Sequence, residues 1–129
     1  MNVTTIGIDL AKTVFSIHGT DQHGKVVVRK RLNRPKLLPY IAQLPPCLIG
    51  MEACSGAHHW AREMTKLGHD VRIIAPRFVA PYRKSSKNDD NDAEAICEAV
   101  GRPNMRLGPI KTEDQQAVLC LHRIRRGLT

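Results

Sequence analysis

Residues 85–96 read SSKNDDNDAEAI, with Asp89, Asp90 and Asp92 inside four positions and Glu94 close behind. They directly follow Arg83, Lys84 and Lys87. Two further acids stand in apolar surroundings. Asp9 lies in the run VTTIGIDLA, where aspartate is disfavoured in a strand, and Glu52 ends the run CLIGM. Carboxylates brought close together resist joint ionisation unless a cation compensates them. Oxygen-only ligands suit Mg²⁺ or Mn²⁺, and two such ions are the usual apparatus for in-line attack at a phosphodiester. Asp9, Glu52, Asp89 and Asp92 are therefore the candidate catalytic and metal-holding set.

The elements that must position these acids follow from the apolar pattern. VTTIGIDLA (3–11), TVFSIHG (13–19) and KVVVRKR (25–31) read as three strands, the last two joined by the turn-like TDQHG. Together they predict a meander. Strand alternation places Asp9 on the face of Gly7 and Thr5, and Gly7 leaves room beside the carboxylate, as an approaching ligand would require. RPKLLPYIAQL (34–44) predicts a short helix with Pro35 near its first position, although Pro39 interrupts it. CLIGM (47–51) reads as a buried strand, a helix capped by Ser55 follows with Ala57, Trp60, Ala61, Met64 and Leu67 at helical spacing, and Gly68 ends it. DVRIIA (70–75) is a further strand. After RFVAPYRK comes a helix over about 89–100, then a linker (101–109), then a last helix opened by Thr112 with Gln115 and carrying Val118, Leu121, Ile124 and Leu128. The pattern predicts an α/β fold with a mixed sheet flanked by helices.

At about 100° per residue, Ile96, Val100, Ala93 and Cys97 form the apolar stripe of the 89–100 helix. Asp89 falls on the line of that stripe and Asp92 about 60° to one side, while Asn91, Glu94 and Glu98 face outward. A second reading competes at this stage. Ser86-x-x-Asp89 and Asp89-x-x-Asp92 both resemble capping boxes, and acids favour a first helical turn. Capping accounts for one acid better than for two on the core side, where an uncompensated carboxylate is costly.

The chain of 129 residues carries 20 Lys and Arg against 12 Asp and Glu, a formal net charge of +8, which points to an anionic partner such as DNA. Basic clusters at 29–36, 77–87 and 123–126 would contact phosphate, with Lys12, Arg83, Lys84, Lys87, Arg123, Arg125 and Arg126 as the candidates, and such binding weakens with salt. Arg29, Lys30 and Arg31 also read as a solvated strand edge. No pair among Cys47, Cys54, Cys97 and Cys120 has CxxC spacing, so neither a zinc ribbon nor a redox motif is suggested, and a reducing, cytoplasmic setting fits. The sequence holds no secretory pattern and no apolar run near the ~20 residues of a membrane span. His58 and His59 are neighbours on a helix and poorly placed to share one ion. Trp60 sits on the apolar stripe and reads as core.

With these residues in hand, IGIDLAK (6–12), MEACSG (51–56) and KNDDNDA (87–93) resemble the three blocks of the DEDD transposases, the insertion-sequence group numbered 110 and its relatives. The resemblance covers essentially the whole chain. It implies an RNase H-like (RuvC-like) domain over 1–103, a tetrad of Asp9, Glu52, Asp89 and Asp92, and Mg²⁺ or Mn²⁺. Asn88 stands where the family commonly has Thr. The resemblance further implies DNA cleavage and strand transfer, and a structured noncoding RNA as guide. Family members are longer and carry a second domain with a serine nucleophile. Residues 104–129 would then be a linker and the start of a helical region, and the chain a fragment, inactive alone. The unfinished apolar seam of its last helix would favour a homo-oligomer. A RuvC-type Holliday-junction resolvase and a non-enzymatic nucleic-acid-binding module remain the alternatives. Actin-like ATPases and sugar kinases share a similar first strand but need glycine-rich phosphate loops that this sequence lacks.

Overall fold

Five short runs rich in apolar residues pair into one sheet in a computed structural model of the chain. The structure describes residues 2–11, 13–84, 89–102, 105, 107 and 110, with Asp89 and Asp90 described in backbone alone. The strands are β1 (Thr5–Asp9), β2 (Val14–Thr20), β3 (Val26–Asn33), β4 (Leu48–Glu52) and β5 (Asp70–Ile74). Their order is β3-β2-β1-β4-β5. β1, β2 and β3 pair antiparallel as the expected meander, whereas β4 joins β1 in parallel and β5 joins β4 in parallel. A mixed sheet of this order, flanked by helices, is an RNase H-like arrangement.

Period-two alternation sorts the side chains between two layers. Ile6, Ile8, Phe15, Ile17, Ile49, Met51, Val71 and Ile73 face one side, in one core with Leu37 and Ile41 of α1 (Leu37–Ala42) and Ala57, Trp60, Ala61 and Met64 of α2 (Ala57–Lys66). Trp60 is buried and meets Phe15 edge-on at 5.3 Å between centroids, a core contact as expected. Pro39 is tolerated because it sits in the first turn of α1, where the missing N–H disrupts least. The cap of α2 corrects the sequence reading. Gly56, in a helical conformation and without a side-chain cap bond, holds the N-cap position that was expected of Ser55.

The other face of the sheet carries α4 (Asp89–Val100). Here Gly7 and Gly50 have a use that the sequence reading missed. A Cβ on Gly7 would stand 2.3 Å from both the Ala93 carbonyl oxygen and the Cys97 nitrogen, and one on Gly50 would stand 2.7 Å from Val100 Cβ. The space beside Gly7 is filled by the backbone of α4, so the glycine admits a helix and not a ligand. Ala93, Ala95, Ile96, Cys97, Ala99 and Val100 are all buried, a wider apolar surface than a single stripe.

Before α4 the segment RFVAPYRK is helical, which the sequence reading left unassigned. α3 (Pro76–Val79) runs into a 3₁₀ turn at Ala80–Tyr82. Pro76 and Pro81 preset the backbone for both, and Val79, Phe78 and Tyr82 pack on Ile74, Ala95, Ile96, Ala99 and Val100. Beyond α4, Met105 joins this second cluster and Ile110 reaches the first. The expected helix after Thr112 lies outside the described residues.

Cys97 reports on this packing. Its thiol approaches the Thr5 carbonyl at 3.6 Å and Thr20 Oγ1 at 3.8 Å, and burial pushes its pKa up to about 11. Burial also raises the Cys47 thiol, whereas Cys54 is exposed. At pH 8 an alkylating reagent is expected to modify Cys54 before Cys47 and Cys97, the other two cysteines among the described residues. Cys97 should react about a hundredfold more slowly than an exposed thiol of ordinary acidity, from its thiolate fraction alone. Peptide-resolved mass spectrometry checks this; equal labelling of Cys54 and Cys97 in the native protein would contradict the packing of α4.

Candidate functional site

The parallel pairing of β1 and β4 brings two of the candidate acids to one end of the sheet. Ile8 and Met51 are register partners, and Asp9 and Glu52 each follow by one residue. Both lie on the face that carries α4, since Gly7 and Gly50 precede them by two. α4 runs antiparallel to β1. Val100 lies over Gly50 and Cys97 over Thr5, so the N-terminal turn of α4 comes to the Asp9 and Glu52 end. That turn supplies Asp92, only 6% exposed.

A cation closes the group. Arg83 Nε donates to Asp92 Oδ1 at 2.6 Å, and Arg83 Nη2 donates to Glu52 Oε2 at 3.2 Å. The guanidinium is itself largely covered, with 19% of its side-chain surface exposed. It is delivered by the 3₁₀ turn at Ala80–Tyr82, whose end is fixed by the Arg83 N–H bond to the Ala80 carbonyl. Sequence reasoning placed Arg83 among the phosphate contacts, and nothing in the local pattern shows that it pairs with acids 31 and 9 residues away.

Two acids from different elements thus share one guanidinium. The single charge of the guanidinium compensates one of the two carboxylates, whereas a divalent cation in its place would neutralise both, and the donor set is hard oxygen throughout. Among the described residues no three His, Cys, Asp or Glu side chains close into a metal-holding group by themselves. Asp9 makes its own contacts nearby. Asp89 begins α4, as expected, and is described in backbone alone.

Of the other cationic candidates, Lys84 is exposed and lies 3.7 Å from Glu94, which Arg29 also meets at 3.8 Å. Such exposed pairs contribute little to stability and leave both cations available to solvent. Lys12, Lys87, Arg123, Arg125 and Arg126 lie outside the described residues. His59 is exposed and stacks edge-on against Trp60, and His58 is half-buried beside it. A cleft of about 470 Å³ opens along the β2 side of α4, lined in part by His18, Thr20, Glu94, Cys97 and Arg102. Its cations are paired with its own acids, Lys84 with Glu94 and Arg102 with Glu98. Burial holds His18 below the ordinary imidazole pKa; Glu94 opposes this, and Arg29 and Lys84 reinforce it. The cleft therefore offers an anion no unpaired lysine or arginine among its described lining residues.

The sequence that builds this site has known relatives. The family profile of DEDD transposases of insertion-sequence group 110, described as "Transposase", matches residues 6–129. The chain belongs to this DEDD transposase family. It is 56% identical over 128 residues to a "Probable family 20 transposase" of Pseudomonas aeruginosa, covering 99% of this chain and 38% of that one. It is 53% identical over 127 residues to the "Transposase for insertion sequence element IS1328" of Yersinia enterocolitica, covering 98% and 38%. Against the "Transposase for insertion sequence element IS1111A" of Coxiella burnetii the identity is 43% over 124 residues, covering 96% and 34%. The chain therefore spans less than two-fifths of the length of these relatives. Among its described residues no helix is long and apolar enough to cross a membrane.

Proposed function

We propose that this chain is the carboxylate domain of a cytoplasmic DNA transposase, cleaving and joining DNA strands with Mg²⁺ or Mn²⁺ held by Asp9, Glu52, Asp89 and Asp92. The observation that carries the reading is the convergence of Glu52 and Asp92 on one guanidinium, at the sheet end where Asp9 also lies. Carboxylates gathered from β1, β4 and α4 have no packing purpose there. Bound to them, a divalent ion would supply charge stabilisation at a phosphodiester. Arg83, released from the acids, would be free to contact phosphate. Lys12, Lys84 and Lys87 stand close in sequence to the acids and would hold the flanking backbone. In this reading residues 1–103 form the catalytic domain. Residues 104–129, with Arg123, Arg125 and Arg126, begin a helical region that pairs with another copy. The noncoding guide RNA and the strand-transfer step belong to the whole transposase.

Thermal melts of the 129-residue chain with and without Mn²⁺ test the metal reading. Saturable binding should stabilise the parent by about 2.7 kcal/mol at a hundredfold excess over the dissociation constant. Asp9→Asn and Asp89→Asn should each lose most of that gain. No response in the parent would sink the metal site, and an undiminished response in Asp89→Asn would remove that residue from it and return it to the capping role.

A further inference from the structure

Among the described residues, the Ser16 hydroxyl is a buried polar atom with no hydrogen-bond partner. Ser16 is 2% exposed and lies on β2, directly opposite Asp9 of β1. Burying a hydroxyl without a partner is unfavourable, and serine offers a strand no packing advantage over alanine or valine. Its position is also specific. Asp9 and Ser16 are cross-strand partners, and Ser16 and Arg31 are partners on the next strand. With Glu52 beside Asp9, the four residues form one row across the sheet, on the face that carries α4.

Directly opposite residues of an antiparallel pair have Cβ atoms about 4.5–5.5 Å apart, which places an Asp9 oxygen within reach of a serine rotamer change. The chemistry of the row gives the hydroxyl one direction to point. A guanidinium donates and cannot accept, whereas an ionised carboxylate only accepts. Between Arg31 and Asp9, the serine proton has an acceptor on the Asp9 side alone.

We propose that Ser16 is a positioning residue for Asp9, donating its Oγ–H to one carboxylate oxygen when the acids hold a divalent cation. The bond fixes the orientation of the carboxylate and satisfies the buried hydroxyl in the same step. Groups that orient a metal ligand in this way typically change affinity about tenfold or more when removed. The inference rests on the metal reading of Asp9 given above.

The test is Mn²⁺ binding to the 129-residue chain, followed by calorimetry and by the electron paramagnetic resonance signal of free Mn²⁺. Ser16→Ala should melt, without metal, no lower than the parent, because it removes an unpaired group. Its Mn²⁺ dissociation constant should rise about tenfold. Ser16→Thr and Ser16→Val have nearly the same shape and differ in the hydroxyl, so they decide the matter if the alanine variant folds poorly. Thr should bind Mn²⁺ more tightly than Val. Equal affinities in Ser16→Ala and the parent, or in the Thr and Val variants, would overturn the role of Ser16 while leaving the metal site standing. A parent that binds no Mn²⁺ would overturn both.

Discussion

Arg83→Gln is expected to destabilise the metal-free domain by about 2–3 kcal/mol and, in the same protein, to tighten Mn²⁺ binding. The first effect follows from the pairing. Arg83 compensates Asp92, which is buried, and Glu52, which is partly so. Removing one partner of a fully buried pair costs about 3–5 kcal/mol; the partial exposure of Glu52 and Arg83 brings the expectation below that. The second effect has the opposite sign because the guanidinium and a metal ion compete for the same oxygens. Without the competitor, an ion no longer has to displace charge-assisted bonds of 2.6 and 3.2 Å, and about tenfold in affinity corresponds to about 1.4 kcal/mol of relief. Denaturant melts and Mn²⁺ titrations on one sample measure both. A residue whose only role is to bind phosphate would change neither quantity. Loss of stability together with weaker Mn²⁺ binding would show that Arg83 organises the acids in both states.

Gly7→Ala should cost about 3 kcal/mol or more, at the upper end of overpacking penalties, and should abolish the Mn²⁺ response. The added methyl would sit 2.3 Å from two backbone atoms in the middle of α4, which has no flexible side chain there to yield. The helix must move away from β1 as a body. Asp92 immediately precedes Ala93, whose carbonyl takes the clash, so the acid is carried off with it. Gly50→Ala is milder, at about 1–2 kcal/mol, because it meets the side chain of Val100. Gly56→Ala is the control, since nothing lies within 4 Å of its added carbon and its φ is −86°. Urea midpoints rank the three. A Gly7→Ala protein as stable as Gly56→Ala would mean that α4 does not rest on β1.

The strands and the helix at 89–100 were legible because their signals are local. Short apolar runs gave β1–β5, each of five to eight residues, and the helical stripe placed Asp92 on the core side, where it is buried. The convergence of Asp9 and Glu52 followed from two strand ends and the fold that the family blocks imply. What escaped the sequence depends on contacts between distant elements. Gly7 looks the same whether a ligand or a helix fills the space beside it. Arg83 belongs to a basic run, and only the turn after Pro81 aims it at Glu52 and Asp92. Ser16 is one polar residue in an alternating strand, and its missing partner becomes visible only when β2 is laid against β1. The α2 cap moved from Ser55 to Gly56 by a single residue, within the ordinary uncertainty of a helix end.

The packing of α4 on β1 also has a consequence for the order in which the chain can assemble. The first strand and the last described helix stand at opposite ends of the domain's sequence, yet they are direct neighbours. Closing so long a loop is slow compared with forming the β1–β3 meander, whose contacts are local. During synthesis the sheet can therefore begin to pair while α4 is still inside the ribosome. Until that helix emerges, the glycine-lined face of β1 and β4 stays uncovered and Asp9 and Glu52 lack Asp92. The carboxylate cluster proposed to hold a divalent cation is completed only when α4 emerges, so a nascent chain halted before residue 89 carries the strands of this site without Asp92.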